Sequence, residues 1–311
     1  MVIHVPNDRS LRIMITGGNG FVGRYLIEAL SHSAPDAILY TNRIEITDPA
    51  VVSQAVIDFQ PDACIHLAGI TSIGEARQNP DLAWNVNLHG TLNIGRAILQ
   101  WAPACRLIYA STAEAWGTSF RQGTPVDENV PLAPANTYAA SKAAADLALG
   151  AMAEEGLQVI RFRPFNHTGP GQDIKFVVPA FASQIIQIER GLQPPVIYVG
   201  NLSAERDFLD VRDVVSAYVQ ATLLGDTIKP GTIVPLCSGQ TRSISSILNE
   251  LILLSGVTAR IEVDKERLRP IDIPVATGSA RLAHSTLGWA PTIPWTTTLS
   301  DILQYFRTLD K

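Results

Sequence analysis

The chain reads as an α/β protein built on a doubly wound parallel sheet, with a smaller interleaved C-terminal lobe. Two observations predict this. Short apolar runs of β type alternate with helix-length amphipathic stretches through the first half of the 311 residues. Those runs are apolar on both faces, as strands covered by helices on both sides must be.

The elements follow in order. Leu11–Ile15 is strand-like, a glycine-rich turn follows, and Phe21–Ser31 reads as a helix. Ala37–Thr41 is a strand, Pro49–Phe59 a helix and Ala63–Leu67 a strand. A long helix over about Asp81–Gln100 precedes the strand Arg106–Ala110. The helix Thr137–Glu155 then leads into the strand Gln158–Arg163. Beyond that point the pattern loosens. Pro164–Gly171 and Gly191–Gly200 carry Pro and Gly, Asp210–Leu224 is helical, and Thr232–Leu236 is a strand suited to rejoining the sheet. Arg242–Leu254 is helical and Leu268–Pro274 a proline-punctuated loop. The expected division is 1–165, with 207–238 returning to it, against a lobe made of 166–206 and 239–311.

Composition bounds the function. With 46% hydrophobic and 17% charged residues the chain has material for a core and is not disordered. Its three cysteines, Cys64, Cys105 and Cys237, are too few and too dispersed for a disulfide framework or structural zinc. A net charge of −5 argues against nucleic acid or an anionic membrane as partner. No apolar run approaches the roughly 18 residues of a membrane span, and the N-terminus lacks a leader pattern, so a cytoplasmic protein is expected. No His/Asp/Glu spacing supports a metal site.

Thr16-Gly17-Gly18-Asn19-Gly20-Phe21-Val22-Gly23 lies between the first strand and the first helix. Gly17 allows a tight turn, Gly20 lets backbone approach a pyrophosphate, and Gly23 brings helix and strand close. The free N–H groups of the helix N-terminus then face the phosphates. A lone glycine turn means little; at the head of an α/β pattern it marks a Rossmann dinucleotide site. The second strand ends Tyr40-Thr41-Asn42-Arg43 with no carboxylate before Glu45. Arg43 suits a 2′-phosphate and favours NADP(H) over NAD(H), a solvated surface arginine being the other reading.

Tyr138 and Lys142 stand four apart on one helix face, where an ammonium can lower a phenol's pKa for acid–base work. A chance surface pair is the alternative, but Ser111-Thr112 follows a strand with a hydroxyl suited to a substrate oxygen.

Together with His66-Leu67-Ala68-Gly69, Asn87 before Gly90-Thr91, and Ser111-Thr112-Ala113-Glu114-Ala115-Trp116-Gly117, these motifs resemble the extended short-chain dehydrogenase/reductase family over nearly the whole chain. The resemblance implies catalysis by Thr112, Tyr138 and Lys142, with Asn87 in support and Glu45-Ile46 beside the adenine. It further implies cofactor contacts from Asn19, Phe21, Val22, Leu67, Ala68, Gly69 and Phe165. Trp116 departs from the family's usual Tyr and alters the pocket wall.

Arg161-Phe162-Arg163-Pro164-Phe165-Asn166-His167-Thr168-Gly169-Pro170-Gly171-Gln172 is similar to the subgroup acting on GDP-linked hexoses, as are Asn201–Phe208 and Leu268-Arg269-Pro270. By that resemblance Thr112, Glu114, Asn166, Val177, Arg206 and Arg269 meet the sugar nucleotide, the two arginines at its diphosphate. A local Arg206–Asp207 pair is the competing reading for the first arginine. His167 is taken as structural or as a nucleotide contact.

The implied reaction is reduction by NAD(P)H of the C4 ketone of GDP-4-dehydro-6-deoxy-D-mannose to GDP-D-rhamnose, by a homodimer. Glu114 keeps a second activity open, 4,6-dehydration of GDP-mannose, because its position matches the dehydratase glutamate; a 4-epimerase is a third. A non-catalytic dinucleotide sensor is the reading from another class.

Overall fold

In the computed structural model, residues 9–224, 227–268 and 273–309 are described. Six parallel strands form the central sheet: β1 (Arg12–Thr16), β2 (Ile38–Tyr40), β3 (Ala63–His66), β4 (Arg106–Ala110), β5 (Val159–Pro164) and β9 (Ile233–Leu236). They lie in the order β2-β1-β3-β4-β5-β9. The strand order reverses direction between β1 and β3, so the crevice at their carboxyl ends is the natural ligand site of such a sheet.

Alternation of side chains along each strand makes the two faces. Ile13 and Ile15 of β1 join Ile65, Ile108 and Phe162 in one buried cluster with Leu26 and Leu30 of α1 (Phe21–Ser33) and Val214 and Tyr218 of α8 (Val211–Leu223). Met14, Cys64, Leu107 and Val159 face the other way. They meet Val52 and Val56 of α2 (Pro49–Phe59), Ile94 and Ile98 of α5 (Thr91–Trp101) and Leu149 of α6 (Thr137–Glu154). Each large aliphatic chain buried this way contributes roughly 1.5–3 kcal/mol. That two-sided burial is why these strands are apolar throughout. Cys64 and Cys105 lie in the second cluster and Cys237 in a smaller one around Trp116 and Phe165. Burial pushes the Cys64 thiol up to about 12 and raises the other two.

The second half adds a separate cluster. α7 (Val177–Glu189), α9 (Ile244–Ser255) and α11 (Trp295–Thr308) pack Phe181, Leu248 and Ile302 against Phe208 of β8 (Glu205–Asp210). β8 also pairs with β6 (Asn166–Thr168), β10 (Thr241–Ser243) and β12 (Val275–Ala276). A third sheet joins β7 (Val196–Val199) to β11 (Arg260–Val263). α10 (Arg281–Leu287) packs near β9.

Helix starts follow capping chemistry. Asp48 accepts from the Ala50 and Val51 amides, Asn136 from Ala139 and Asp210 from Arg212. One helix differs from the sequence expectation. In place of a continuous helix over 81–100, the chain forms α3 (Ile73–Gln78), α4 (Pro80–Trp84), a π turn over Asn85–Gly90 and then α5. The wide turn carries Asn87, and such insertions recur at functional sites because they re-aim one side chain.

After Thr112 the chain runs through a 3-10 segment, Ala113–Gln122, kinked at Gly117 with φ of +50°. A Cβ on Gly117 would lie 2.0 Å from the Ala133 carbonyl oxygen. Both the left-handed backbone and the contact exclude any other residue. Gly117→Ala is therefore expected to lose on the order of 3 kcal/mol, read as a fall of several degrees in Tm by thermal denaturation.

Candidate active site

The glycine loop sits where the sheet reverses. Gly17 has φ of +75°, and a Cβ there would come within 2.7 Å of the Ala68 amide nitrogen. At Gly23 a Cβ would meet the Gly17 carbonyl at 2.4 Å, so this glycine permits close packing of α1 beneath the loop. Gly17, Asn19 and Gly20 are exposed at the rim, and Phe21 and Val22 are half-buried. Gly20 opens α1 with no side chain capping it, leaving the first amides directed to the crevice. A pyrophosphate fits an uncapped helix start of this kind.

Across the crevice, Arg43 and Glu45 are exposed after β2, close enough for the guanidinium to help hold the Glu45 carboxyl below its usual value, after hydrogen bonds from Thr47. Ile46 is buried against Gly90 of the π turn, and its carbonyl accepts from Asn93.

A buried hydrogen-bond chain joins the loop to α6. The Thr16 hydroxyl accepts from the Ala68 amide and reaches His66 Nδ1 at 2.6 Å. His66 Nε2 lies 3.0 Å from Thr91 Oγ1, which donates to the Asn87 carbonyl at 2.7 Å. With that proton committed, the Thr91 oxygen accepts from Nε2–H, which assigns His66 the neutral Nε2–H tautomer. Burial, reinforced by Lys142, lowers His66 to about 3. Asn87 in turn binds both backbone groups of Ile70, at 2.8 and 3.1 Å, and donates to Ser141 Oγ at 3.0 Å. Ser141 donates to the Tyr138 carbonyl at 2.9 Å. A Cβ on Gly69 would strike Asn87 Oδ1 at 2.9 Å, which accounts for the glycine there.

Tyr138 and Lys142 share the inner side of α6. Lys142 Nζ donates to the Ala110 carbonyl at 2.6 Å and lies 4.4 Å above the Tyr109 ring. Burial lowers the Lys142 amine to about 7, with Asp146 pulling it up. Tyr138 is raised to about 12 by burial, opposed by a hydrogen bond with Thr112 and assisted by Glu114. Thr112 is buried and caps the 3-10 segment through the Glu114 amide at 3.2 Å. Thr112, Glu114, Tyr138 and Lys142 thus converge at the carboxyl end of β4.

The substrate side is partly assembled from what the sequence suggested. Asn166 is exposed on β6 and Val177 is half-buried at the start of α7. Phe165 is buried behind the site with Trp116 and Phe120. Arg206 is buried, with Nη1 donating to the Glu205 and Ile273 carbonyls at 2.8 and 2.7 Å. Asp207 accepts from Ser238 and Gly239, so the suggested local Arg206–Asp207 pair gives way to these bonds. Arg269 lies outside the described residues. His167 stacks on Phe21 with 5° between the rings and 6.4 Å between centroids. Tyr25 donates to the Pro170 carbonyl at 2.8 Å and Arg24 to that of Gly171 at 3.1 Å, fastening the start of α1 to the 167–172 loop. Among the described residues no cluster of His, Cys, Asp and Glu could hold a metal, and no helix is long and apolar enough to cross a membrane.

Residues 13–237 match the NAD dependent epimerase/dehydratase family. The chain belongs to this family. It is 36% identical to the GDP-6-deoxy-D-mannose reductase of Pseudomonas aeruginosa, over 94% of this chain and 96% of that one. It is 28% identical to the GDP-6-deoxy-D-talose 4-dehydrogenase of Aggregatibacter actinomycetemcomitans, over 89% and 92% of the two. Among solved structures it is similar to RMD from Pseudomonas aeruginosa complexed with NADPH, with TM-score 0.86, 32% identity and coverage of 96% and 99%. The UDP-glucose 4-epimerase of Thermus thermophilus, in complex with NAD, gives TM-score 0.84 at 25% identity over 96% and 100%.

The neutral state of His66 has a measurable consequence. Its folded pKa of about 3 lies below the ordinary 6.5, so the unfolded chain binds a proton first as pH falls. Stability is lost between those values, at about 1.4 kcal/mol per pH unit. Urea unfolding at pH 6.5 and 5.0 is expected to differ by about 2 kcal/mol more in the wild type than in His66→Asn.

Proposed function

We propose that this chain reduces the C4 ketone of GDP-4-dehydro-6-deoxy-D-mannose with NADPH, giving GDP-D-rhamnose. The observation that carries the reading is its similarity, along nearly all of both chains, to a GDP-6-deoxy-D-mannose reductase. NADPH is favoured because Arg43 follows β2 where an acidic residue would select NADH, and because a similar structure holds NADPH. NADH remains usable by the same loop.

A bound reduced nicotinamide supplies the hydride to C4. Tyr138 donates its phenolic proton to the C4 oxygen as negative charge develops there, so that C=O becomes CH–OH. Burial keeps the phenol protonated at neutral pH, so the proton that the C4 oxygen takes up is in place. Thr112, hydrogen-bonded to that phenol, orients the same oxygen. Lys142 keeps N–H groups beyond the Ala110 carbonyl for a ribose hydroxyl, and Asn87 holds α6 against the Ile70 backbone in the loop after β3. Residues 1–165 with 207–238 form the cofactor half, and 166–206 with 239–311 the sugar-nucleotide half, where Asn166, Val177, Arg206 and Arg269 meet the substrate. The separate α7–α9–α11 cluster supports a second lobe, but its Phe208 joins β8 to that lobe, and Ala283, Leu287 and Trp289 seat α10 and the residues after it on the cofactor half. Leu82 and Leu147, 46% and 59% exposed on α4 and α6, suit a homodimer seam along these helices. A cytoplasmic location matches a sugar nucleotide and NADPH as reactants.

Glu114 favours a second reading, 4,6-dehydration of GDP-mannose, since its carboxylate is near enough to Tyr138 to raise the phenol.

The deciding assay supplies GDP-4-dehydro-6-deoxy-D-mannose with NADPH or NADH, follows absorbance at the nicotinamide band and identifies the product by NMR. GDP-mannose conversion without added NADPH would replace the reductase by the dehydratase. Tyr138→Phe is expected to lower kcat on the order of 10³-fold. Arg43→Ala is expected to raise KM for NADPH about tenfold while leaving that for NADH unchanged, measured by initial rates.

A further inference from the structure

The two-stranded sheet of β7 and β11 has two edges, and the chain closes one of them. Arg260 N–H donates to the Pro195 carbonyl and Asp264 N–H to that of Val199, both at 2.8 Å. Alternation along the strand therefore turns the backbone groups of Ile261 and Val263 away from β7. On the opposite edge Tyr198 is turned outward in the same way, and there Gln184 of α7 meets both of its backbone groups. Gln184 Oε1 accepts from Tyr198 N–H at 2.8 Å, and Nε2 donates to the Tyr198 carbonyl at 3.2 Å. Among the described residues no side chain does this for Ile261 or Val263, and no further strand pairs with β11. An open strand edge is a template for another strand.

The side chains along that edge are of a kind that a strand would cover. In the parallel register Ile261 stands beside Ile197 and Val263 beside Val199, and both β7 residues are buried in the core of the second lobe. Ile261 and Val263 continue this apolar face to the edge, where they are 40% and 62% exposed. Arg260 and Glu262 lie on the other face and pair with each other at 2.6 Å. Edges are commonly guarded by lysine, proline or a bulge. β11, Arg-Ile-Glu-Val, has no lysine or proline and keeps an unbroken register with β7.

We propose that β11 pairs antiparallel with β11 of a second copy, across a two-fold axis at Ile261. The outward backbone groups allow such an axis at any residue of the strand. An axis at Arg260 or Glu262 sets that charge against itself, and one at Val263 sets Glu262 against Asp264. An axis at Ile261 sets Arg260 of each copy opposite Glu262 of the other, twice, because an isologous contact repeats every pair. Ile261 then faces Ile261 as a hydrogen-bonded pair, and Val263 faces Ala259. Apolar side chains meet on one face and opposite charges on the other, completing a four-stranded sheet shared by two copies. This contact uses none of the α4 and α6 surface.

Such a contact is small, so association in the micromolar range is expected, read by sedimentation velocity as a doubling of mass with concentration. Arg260→Glu sets acid against acid twice and is expected to raise the dissociation constant about tenfold. Combining Arg260→Glu with Glu262→Arg restores the pairs and is expected to restore the wild-type constant. Ile261→Pro removes an outward N–H that β7 does not use, and is expected to abolish the doubling with Tm unchanged. The native cysteines are buried, so Ile261→Cys is expected to form a disulfide between copies under oxidised glutathione, the Cα atoms of such a pair being about 5.5 Å apart. Val51→Cys, similarly exposed on α2, is expected to form none. A wild type whose mass neither varies with concentration nor falls in Ile261→Pro overturns the proposal and leaves the edge to an extended segment of a different protein. Association that Arg260→Glu leaves untouched, or that the charge swap does not restore, overturns it too. Should Ile261→Pro not fold, the charge variants decide. No measurement here uses substrate or cofactor, so a wrong assignment of the reaction leaves the outcome standing.

Discussion

The hydrogen-bond chain from Thr16 through His66 and Thr91 to Asn87 is the constraint on which the site depends. It ties the last residue of β1 to the end of β3, the π turn and the first turn of α6. Each link is a buried polar group, and leaving one unpaired costs about 1–3 kcal/mol. The residues therefore stand or fall together. The wide turn at Asn85–Gly90 is part of the same arrangement, since it sets Asn87 between Ile70 and Ser141. Where the sheet reverses, the chain has thus installed a rigid polar frame in place of apolar packing.

Electrostatics in this frame run against the composition. The chain carries a net charge of −5, yet three cations, Lys142, Arg161 and Arg163, are buried, the two arginines paired with Asp146. Low local polarity separates their roles. It holds the Tyr138 phenol protonated, keeps His66 neutral and leaves the Lys142 amine close to the point of losing its proton. Net charge describes the solvated surface; the site is governed by what desolvation does to a few groups.

Much of this was legible in the chain itself. The alternating apolar pattern gives the strand positions within a residue or two, because two-sided burial leaves an unmistakable signature. Spacing places Tyr138 and Lys142 on one helix, and the glycine pattern places the phosphate loop. What escaped was long-range. The π turn looks helical by periodicity, since its neighbours α4 and α5 are helical. The strands β6, β7, β8, β10, β11 and β12 are short, and their partners are distant in sequence. Asp146 could have been noticed as an acid four residues after Lys142, but its pairing with Arg161 and Arg163 requires the alignment of α6 over β5. The direction taken by the Lys142 amine was equally invisible, because i, i+4 spacing gives a shared face and not a shared contact.

The three cysteines carry a practical consequence. Cys64, Cys105 and Cys237 are all buried, and desolvation keeps their thiols from ionising. Thiolate is the form that reacts with maleimides and oxidants. The native fold is accordingly a quiet background for thiol labelling. A single cysteine introduced at the exposed Asn166 would carry a fluorophore or spin label without removal of any native cysteine.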